Sequence, residues 1–271
     1  FTLRDDIVFS DGEPLTIDDV IFTMYVLCDP TYDGSSTLFA QPIEGMEEYR
    51  TGIAQKMTLI AAAGRDNTDF SLWTEDEQKA YWAFVDSAPL AIATEVAEFC
   101  WENGYAAKDD VSAAAGAWGF SVKEGGTLED FAAALVEAYG EDGIIEMIET
   151  ENAGSSVEDL LPEYDALSEW IEYEESAPNI TGIQKTGDYS MRIVATQVDA
   201  TMIYQLGVSI APLHYYGDAS LYNYDNNQFG FPKGDLSSVR AKTTEPMGAG
   251  MYKFVKFENG VVNFEANENY Y

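Results

Sequence analysis

The sequence holds one histidine, His214, in 271 residues, and only 14 lysines and arginines against 48 aspartates and glutamates. A single imidazole excludes histidine-rich metal centres and makes any Ser-His-Asp arrangement depend on one residue. The shortage of positive charge, with a formal net charge of −34, argues against nucleic acid as a partner, because neutralising phosphates takes Lys and Arg. It equally disfavours docking on an anionic membrane, and it reads most simply as solubility in a salty medium. Cys28 and Cys100 are too few for a disulfide framework; both sit among apolar helical neighbours, so two buried thiols are expected. No apolar run is long enough to span a membrane. Two further devices are missing. There is no Asp-x-Asp-x-Asp-Gly calcium loop, and Gly248-Ala249-Gly250 lacks the third glycine and the strand–helix setting of a dinucleotide fingerprint. No cofactor and no metal are expected.

What the chain does contain is apolar and aromatic surface, 46% and 13% of its residues, which excludes a disordered polymer despite the charge. Its organising stretch is Phe9–Val20. Asp11-Gly12 is a turn dipeptide, Pro14 holds the next residues extended, and Thr16 is a good N-cap with Asp19 in the capping-box position. Ile17, Val20, Ile21 and Met24 recur at helical spacing, so a helix to about Leu27 is expected, stopped by Asp29-Pro30.

Composition then shifts. Residues 53–178 hold 28 of the 48 acids, 5 of the 14 basic residues and all five tryptophans, a net charge of −23. A linker would not carry every Trp, since large aromatic surface is costly to leave in water, so this segment is expected to fold around a small core of its own. Its pattern is helical throughout. Thr74 with Glu77 makes a capping box ahead of Ala80, Tyr81, Phe84 and Val85; Leu90, Ala93, Val96, Ala97 and Cys100 form one stripe ended by Asn103-Gly104. Thr127 caps a helix that turns Leu128, Phe131, Leu135 and Tyr139 inward, and Pro162 suits a first turn followed by Tyr164, Leu167, Trp170 and Ile171.

From residue 179 onward β structure is expected. Ile180–Lys185 and Tyr189–Ala195 flank a turn, Asp199 is placed to cap a short helix through Leu206, and a loop rich in Tyr, Asn and Gly runs to about Asp235. Tyr252–Phe257 and Val261–Ala266 flank Asn259-Gly260, the strongest two-residue hairpin signal. Val262, Phe264 and Ala266 alternate with Asn263 and Glu265, which predicts one buried and one wet face.

Catalytic chemistry is hard to find. Asp18-Asp19, Asp109-Asp110 and Glu174-Glu175 are pairs by adjacency, whereas a hydrolase sets its carboxylates across a cleft. His214, in Pro212-Leu213-His214-Tyr215-Tyr216, reads as a packed structural residue rather than a general base. No enzyme is expected.

Two ordered segments carry a resemblance. Leu3-Arg4-Asp5-Asp6, Val8-Phe9-Ser10-Asp11-Gly12, Pro14-Leu15-Thr16, Asp18-Asp19-Val20 and Phe22-Thr23 resemble the signature of the extracellular solute-binding proteins, family 5, the peptide, dipeptide and nickel receptors of ABC importers. Pro246-Met247-Gly248-Ala249-Gly250-Met251-Tyr252 resembles that family's Pro-Val-Gly-Thr-Gly-Pro-Tyr segment, with Ala249 where Thr is usual and Met251 where Pro is usual. Phe1 enters directly into the family's strand, so the resemblance implies a piece of a longer receptor. The fold it implies is α/β, part of the first lobe of a type II periplasmic-binding protein. Residues 1–52 and 179–271 would form that lobe, and 53–178 would be a large, mainly helical acidic insertion. The implied function is capture of a peptide-like small solute outside the cell, an oligopeptide or dipeptide, for ABC permease subunits. Its place would be the extracellular face of the cytoplasmic membrane or the periplasm, with a lipid anchor in a missing N-terminus and no membrane insertion by this stretch. The implied ligand contacts are Gly248, Ala249 and Gly250, where small residues admit close backbone approach, and Tyr32, Ser35, Ser36 and Thr37 in the loop after the first helix. That loop often carries an aromatic in the family; here Tyr32 or Phe39 holds that place. With the second lobe missing, weak solute binding is expected. The alternative is an envelope interaction module, in which the acidic insertion docks a protein partner.

Overall fold

Thr16 lies extended ahead of helix α1 (Ile17–Cys28), and the Asp19 carboxylate reaches back to accept from Thr16 N (2.8 Å) and Thr16 Oγ1 (3.2 Å). The computed structural model describes residues 1–271. Only Asp18 and Leu27 of α1 escape burial, so this helix is a core element rather than an amphipathic surface one. Two compact units divide the chain, Phe1–Ala54 with Glu172–Tyr271, and Gln55–Ile171.

After α1 the chain makes a 3₁₀ turn at Leu38–Ala40, helix α2 (Met46–Arg50) and strand β1 (Ile53–Gln55). The second unit follows with α3 (Lys56–Ala63), α4 (Glu75–Glu102), α5 (Val111–Trp118), α6 (Leu128–Tyr139), α7 (Ile144–Glu151), α8 (Val157–Leu160) and α9 (Tyr164–Leu167). Strand β2 (Trp170–Glu172) leads back to the first unit. There the elements are β3 (Ile183–Gly187), β4 (Ser190–Ile193), α10 (Met202–Gln205), α11 (Leu213–Tyr216), β5 (Tyr222–Asn223), β6 (Gln228–Phe229), α12 (Ser237–Arg240), β7 (Tyr252–Glu258) and β8 (Val261–Ala266).

In the first unit every sheet is two-stranded. The antiparallel pairs β3–β4, β5–β6 and β7–β8 do not merge; β3 and β6 pack on α1, and the opening residues contribute only isolated bridges, Thr2 to Ser190 and Val8 to Pro14. The loop expected up to Asp235 therefore holds α11 and the short β5–β6 pair, whose Phe229 ring stacks on Tyr25 at 3.4 Å. Asp199 is not the residue that caps α10. It closes a turn two residues earlier, where its Oδ1 accepts from Thr201 N and Oγ1, each at 2.7 Å.

Hairpin β7–β8 turns at Asn259 and Gly260, both with positive φ (52° and 76°), as the sequence predicts. Its expected dry face is absent. Phe257 and Phe264 on the two strands are 65% and 59% exposed, because no further strand or helix covers either side of the ribbon.

The second unit is a helical bundle around α4, which packs against α5, α6 and α7. Pro89 removes one main-chain donor, and the sequence pattern breaks there into two stretches; α4 nevertheless runs through it, since Val85, Ala88, Ile92 and Ala93 are buried on both sides. Leu90, assigned inward by its spacing, points to solvent. The last helix is shorter than expected: α9 ends at Leu167, and Trp170 and Ile171 belong to β2, with Trp170 exposed. Trp73 is buried, and Trp82, Trp101 and Trp118 pack against the same core. Cys28 and Cys100 are free and buried.

Lys56, near the unit's first residue, donates through its main chain to Glu169 O (2.9 Å), near its last. Its buried Nζ meets Glu77 (2.6 Å) and Glu169 (3.3 Å), so one ion cluster fastens both ends of the unit to the start of α4. Burial alone would raise the Glu77 carboxyl, but hydrogen bonds from Lys56 and Thr74 outweigh it and hold the group below the usual range.

Two outcomes are expected. Asp19→Ala leaves the Thr16 and Leu213 amides without their acceptor, costs about 3 kcal/mol, and speeds hydrogen exchange throughout α1; unchanged protection there would refute this role. Lys56→Met lowers the second unit's stability by about 3 kcal/mol, read by tryptophan fluorescence in urea, since every Trp lies in that unit. Because Glu77 titrates lower folded than unfolded, its contribution is complete above about pH 4.3 and is lost as pH falls through the folded value. The wild-type acid limb should accordingly be steeper than that of Lys56→Met.

Candidate functional site

The loop Thr244–Gly250 lies in the first unit between α12 and β7, and its own side chains do little to fix it. Aromatic and amide groups from other elements do. Tyr215 Oη donates to Glu245 O (2.8 Å), Tyr216 Oη accepts from Met247 N (2.9 Å), Ser10 N donates to Gly248 O (3.1 Å) and Asn267 Nδ2 donates to Gly250 O (2.8 Å). Asn269 Nδ2 in turn holds Ser10 O at 3.1 Å. Burial pushes the Tyr216 hydroxyl above its ordinary pKa.

Between this loop and β7 runs an open groove of about 490 Å³, lined by Ser10, Tyr215, Thr244–Met247 and Phe254–Phe257. As β7 pairs only with β8, its outer edge leaves main-chain N–H and C=O groups free. Val255 forms a bulge with no partner across the hairpin.

Gly248, Ala249 and Gly250 follow Met247 in the chain but are not among the residues that line this groove. Neither glycine has positive φ, and a methyl group at Gly248 would meet no atom within 4 Å. Their carbonyls, not their lack of side chains, tie the loop down, and Ala249 between them is half-buried.

Tyr32, Ser35, Ser36 and Thr37 form a separate group. The Tyr32 ring packs against the core that contains α1, and its hydroxyl accepts from Ser36 N at 3.3 Å. Ser36 Oγ accepts from Leu38 N (3.3 Å), while exposed Thr37 donates to Gln205 Oε1 (3.1 Å). None of the four lines the groove beside β7. Residues with no motif signal, Tyr215, Thr244 and Glu245, do line it; the Tyr-Tyr pair of α11 and the proline just before Met247 are the only sequence cues.

Three of the six paired carboxylates serve the fold, and Asp109, Glu174 and Glu175 are exposed. Asp18 accepts from Lys185 Nζ (2.7 Å) and Tyr222 Oη (2.7 Å), and Asp19 accepts from Leu213 N (2.9 Å). Asp110 caps α5 through Ala113 N (2.9 Å). His214 Nε2 lies 2.8 Å from Asp11 Oδ2, with its ring edge-on to Phe9. Partial burial works to raise Asp11, yet the bonds to His214 and to the Glu13 amide bring it below the usual range, and the hydrogen bond to His214 fastens the opening turn to α11. No three His, Cys, Asp or Glu side chains cluster tightly enough to hold a metal ion.

Residues 1–271 match the family model described as bacterial extracellular solute-binding proteins, family 5 Middle. Neither the curated proteins nor the solved structures yielded a match. Proteins of this family are extracellular or periplasmic, have the type II periplasmic-binding-protein fold, bind small solutes for ABC permeases, and are in general not enzymes. With its opening signature built around α1 and the matched region covering every residue, the chain belongs to the family 5 solute-binding proteins.

Proposed function

We propose that the chain captures a peptide-like solute, an oligopeptide or dipeptide, outside the cell for transfer to an ABC permease. The observation that carries the peptide part is the free edge of β7 along the groove beside Thr244–Gly250. An extended peptide can pair its main chain with such an edge while leaving its side chains unread, which suits a receptor for varied sequences. Gly248, Ala249 and Gly250 would meet the solute just beyond Met247, and Tyr32, Ser35, Ser36 and Thr37 would approach it from the loop after α1. Binding would act by shifting an equilibrium between open and closed lobes, to which residues 1–52 and 179–271 contribute, with 53–178 as an acidic helical insertion.

A second reading takes the acidic unit as a docking surface for a basic protein. It draws on the open groove along α4, where exposed Leu90 stands among Asp86, Glu95 and Glu98. Capture of a basic partner, abolished by salt and indifferent to changes at Gly248–Gly250, would favour it.

Native mass spectrometry of the chain with a mixed pool of two- to six-residue peptides is the test. Retention of peptides is expected, weakened roughly tenfold, about 1.4 kcal/mol, by Val255→Pro, which alters the edge strand at its bulge. Retention of sugars or free amino acids in place of peptides would sink the peptide reading.

A further inference from the structure

Helix α4 is the longest element of the chain, at 28 residues, and one strip along it lies open to solvent. Ala83, Ser87 and Leu90 are exposed and Ala91 and Thr94 half-buried, so small and apolar residues recur three or four apart over about three turns. The two hydroxyls on the strip are turned back onto the helix's own carbonyls. Ser87 Oγ donates to Phe84 O (3.3 Å) and Thr94 Oγ1 to Leu90 O (2.7 Å). Asp86 beside them is engaged as well, bonded to Arg65 at 2.7 and 3.2 Å. What the strip shows to solvent is thus hydrocarbon around a central leucine, in a chain of which 23% of residues are charged.

Toward the C-terminal end of α4 the strip meets the opposite chemistry. Glu98 and Glu102 are exposed, one turn apart, and neither pairs with any of the chain's cations. Like charges at that spacing repel each other. The last turn of α4, which holds Glu102 and no basic residue, is also where the helix dipole is already negative. A cation is favoured there, and the chain supplies none.

Both features narrow the occupant. The main-chain groups of α4 are used inside the helix, so a partner cannot add itself as a strand. A strip this open does not enclose a small molecule. A second copy of the chain, or an anionic membrane, would bring further negative charge to a chain that already carries −34. Side chains as small as Ala83, Ser87 and Ala91 let another helix come close and set its ridges between theirs. We propose that this face of α4 receives an amphipathic basic helix of a partner protein. The partner's apolar residues, spaced three and four apart, pack around Leu90, and Lys or Arg at one of its ends meets Glu98 and Glu102, which fixes its direction along α4. Such docking rests on the second reading given above, in which the acidic unit binds a basic protein, and is separate from solute capture.

The probe is a fluorescent synthetic helix of three Leu-Ala-Lys-Lys-Leu-Ala-Ala repeats, titrated with the chain at low salt and followed by anisotropy. Amide shifts of the ¹⁵N-labelled chain place it. The same repeat with Glu for Lys, and a Lys-Gly peptide of equal charge, are the controls. The basic helix should shift the amides of residues 83–102 and bind at least tenfold more tightly than either control. Leu90→Gln, which removes the central apolar side chain at an exposed position without changing charge, should weaken it at least fivefold with tryptophan fluorescence unchanged. Glu98→Gln combined with Glu102→Gln should weaken it about fivefold and flatten its salt dependence. Lys-Gly binding as tightly as the amphipathic helix, or shifts confined to residues outside 83–102, would overturn this site while leaving the acidic unit a docking surface for basic partners. Failure of every cationic peptide to bind would overturn both. Sedimentation showing a dimer of the chain that Leu90→Gln dissociates would give the face to a second copy and overturn the proposal.

Discussion

A single buried helix carries the first unit, and it does so through its polar atoms. Residues on or beside α1 are hydrogen-bonded to partners 155 to 205 positions later in the chain: Tyr25 Oη to Ile180 N, Thr23 Oγ1 to Ala211 N, Asp19 to Leu213 N and Asp29 to Gly234 N. Each partner is a main-chain amide in a segment that is short or irregular. These are the groups that cannot go unbonded in a core. The pairs β3–β4, β5–β6 and β7–β8 never join into one sheet, so ordinary sheet hydrogen bonding cannot fix their arrangement. Side-chain acceptors on and just after α1 take that role for the segments from Ile180 to Gly234. Apolar packing, as in the Tyr25–Phe229 stack, then acts on a frame already aligned.

The same chain is strongly negative, and its scarce cations are placed accordingly. In the second unit Lys56 serves Glu77 and Glu169, Arg65 serves Asp86 and Glu141, Lys79 serves Glu75, and Lys123 serves Asp130. Only the Lys56 cluster is buried enough for its geometry to matter much; the others lie where water and salt screen them. The remaining acids stay hydrated, and their mutual repulsion falls as ionic strength rises. Acidity is thus a cost of the folded state that counter-ions relieve.

Local chemistry was the legible part of the sequence. Capping boxes at Thr16, Thr74 and Thr127, the Asn259-Gly260 turn and the helical stripes of the second unit all follow from rules acting over a few residues. The rest was hidden where distance in sequence decides. Leu90 shares the spacing of Ala93, Val96 and Cys100 yet lies in solvent, because the surrounding bundle decides which side of α4 is covered. Alternation in β8 announces a dry face, yet a face is dry only if another element covers it. The candidate site was least legible of all. Gly248 and Gly250 are small residues by sequence, the bonds of their carbonyls come from residues far along the chain, and Tyr215 enters the groove from thirty residues away by way of Glu245.

These observations also explain why the chain offers so little that looks like chemistry. Asp11, Asp18, Asp19, Asp29 and Asp110 are each engaged by amides, cations or hydroxyls that the fold needs, and His214 is spent on Asp11. A reaction centre requires a titratable group left poised and unpaired near its substrate. Capture of a solute requires something else, namely donors and acceptors already fixed in place whose partners are missing. The outer edge of β7 provides such groups from the main chain.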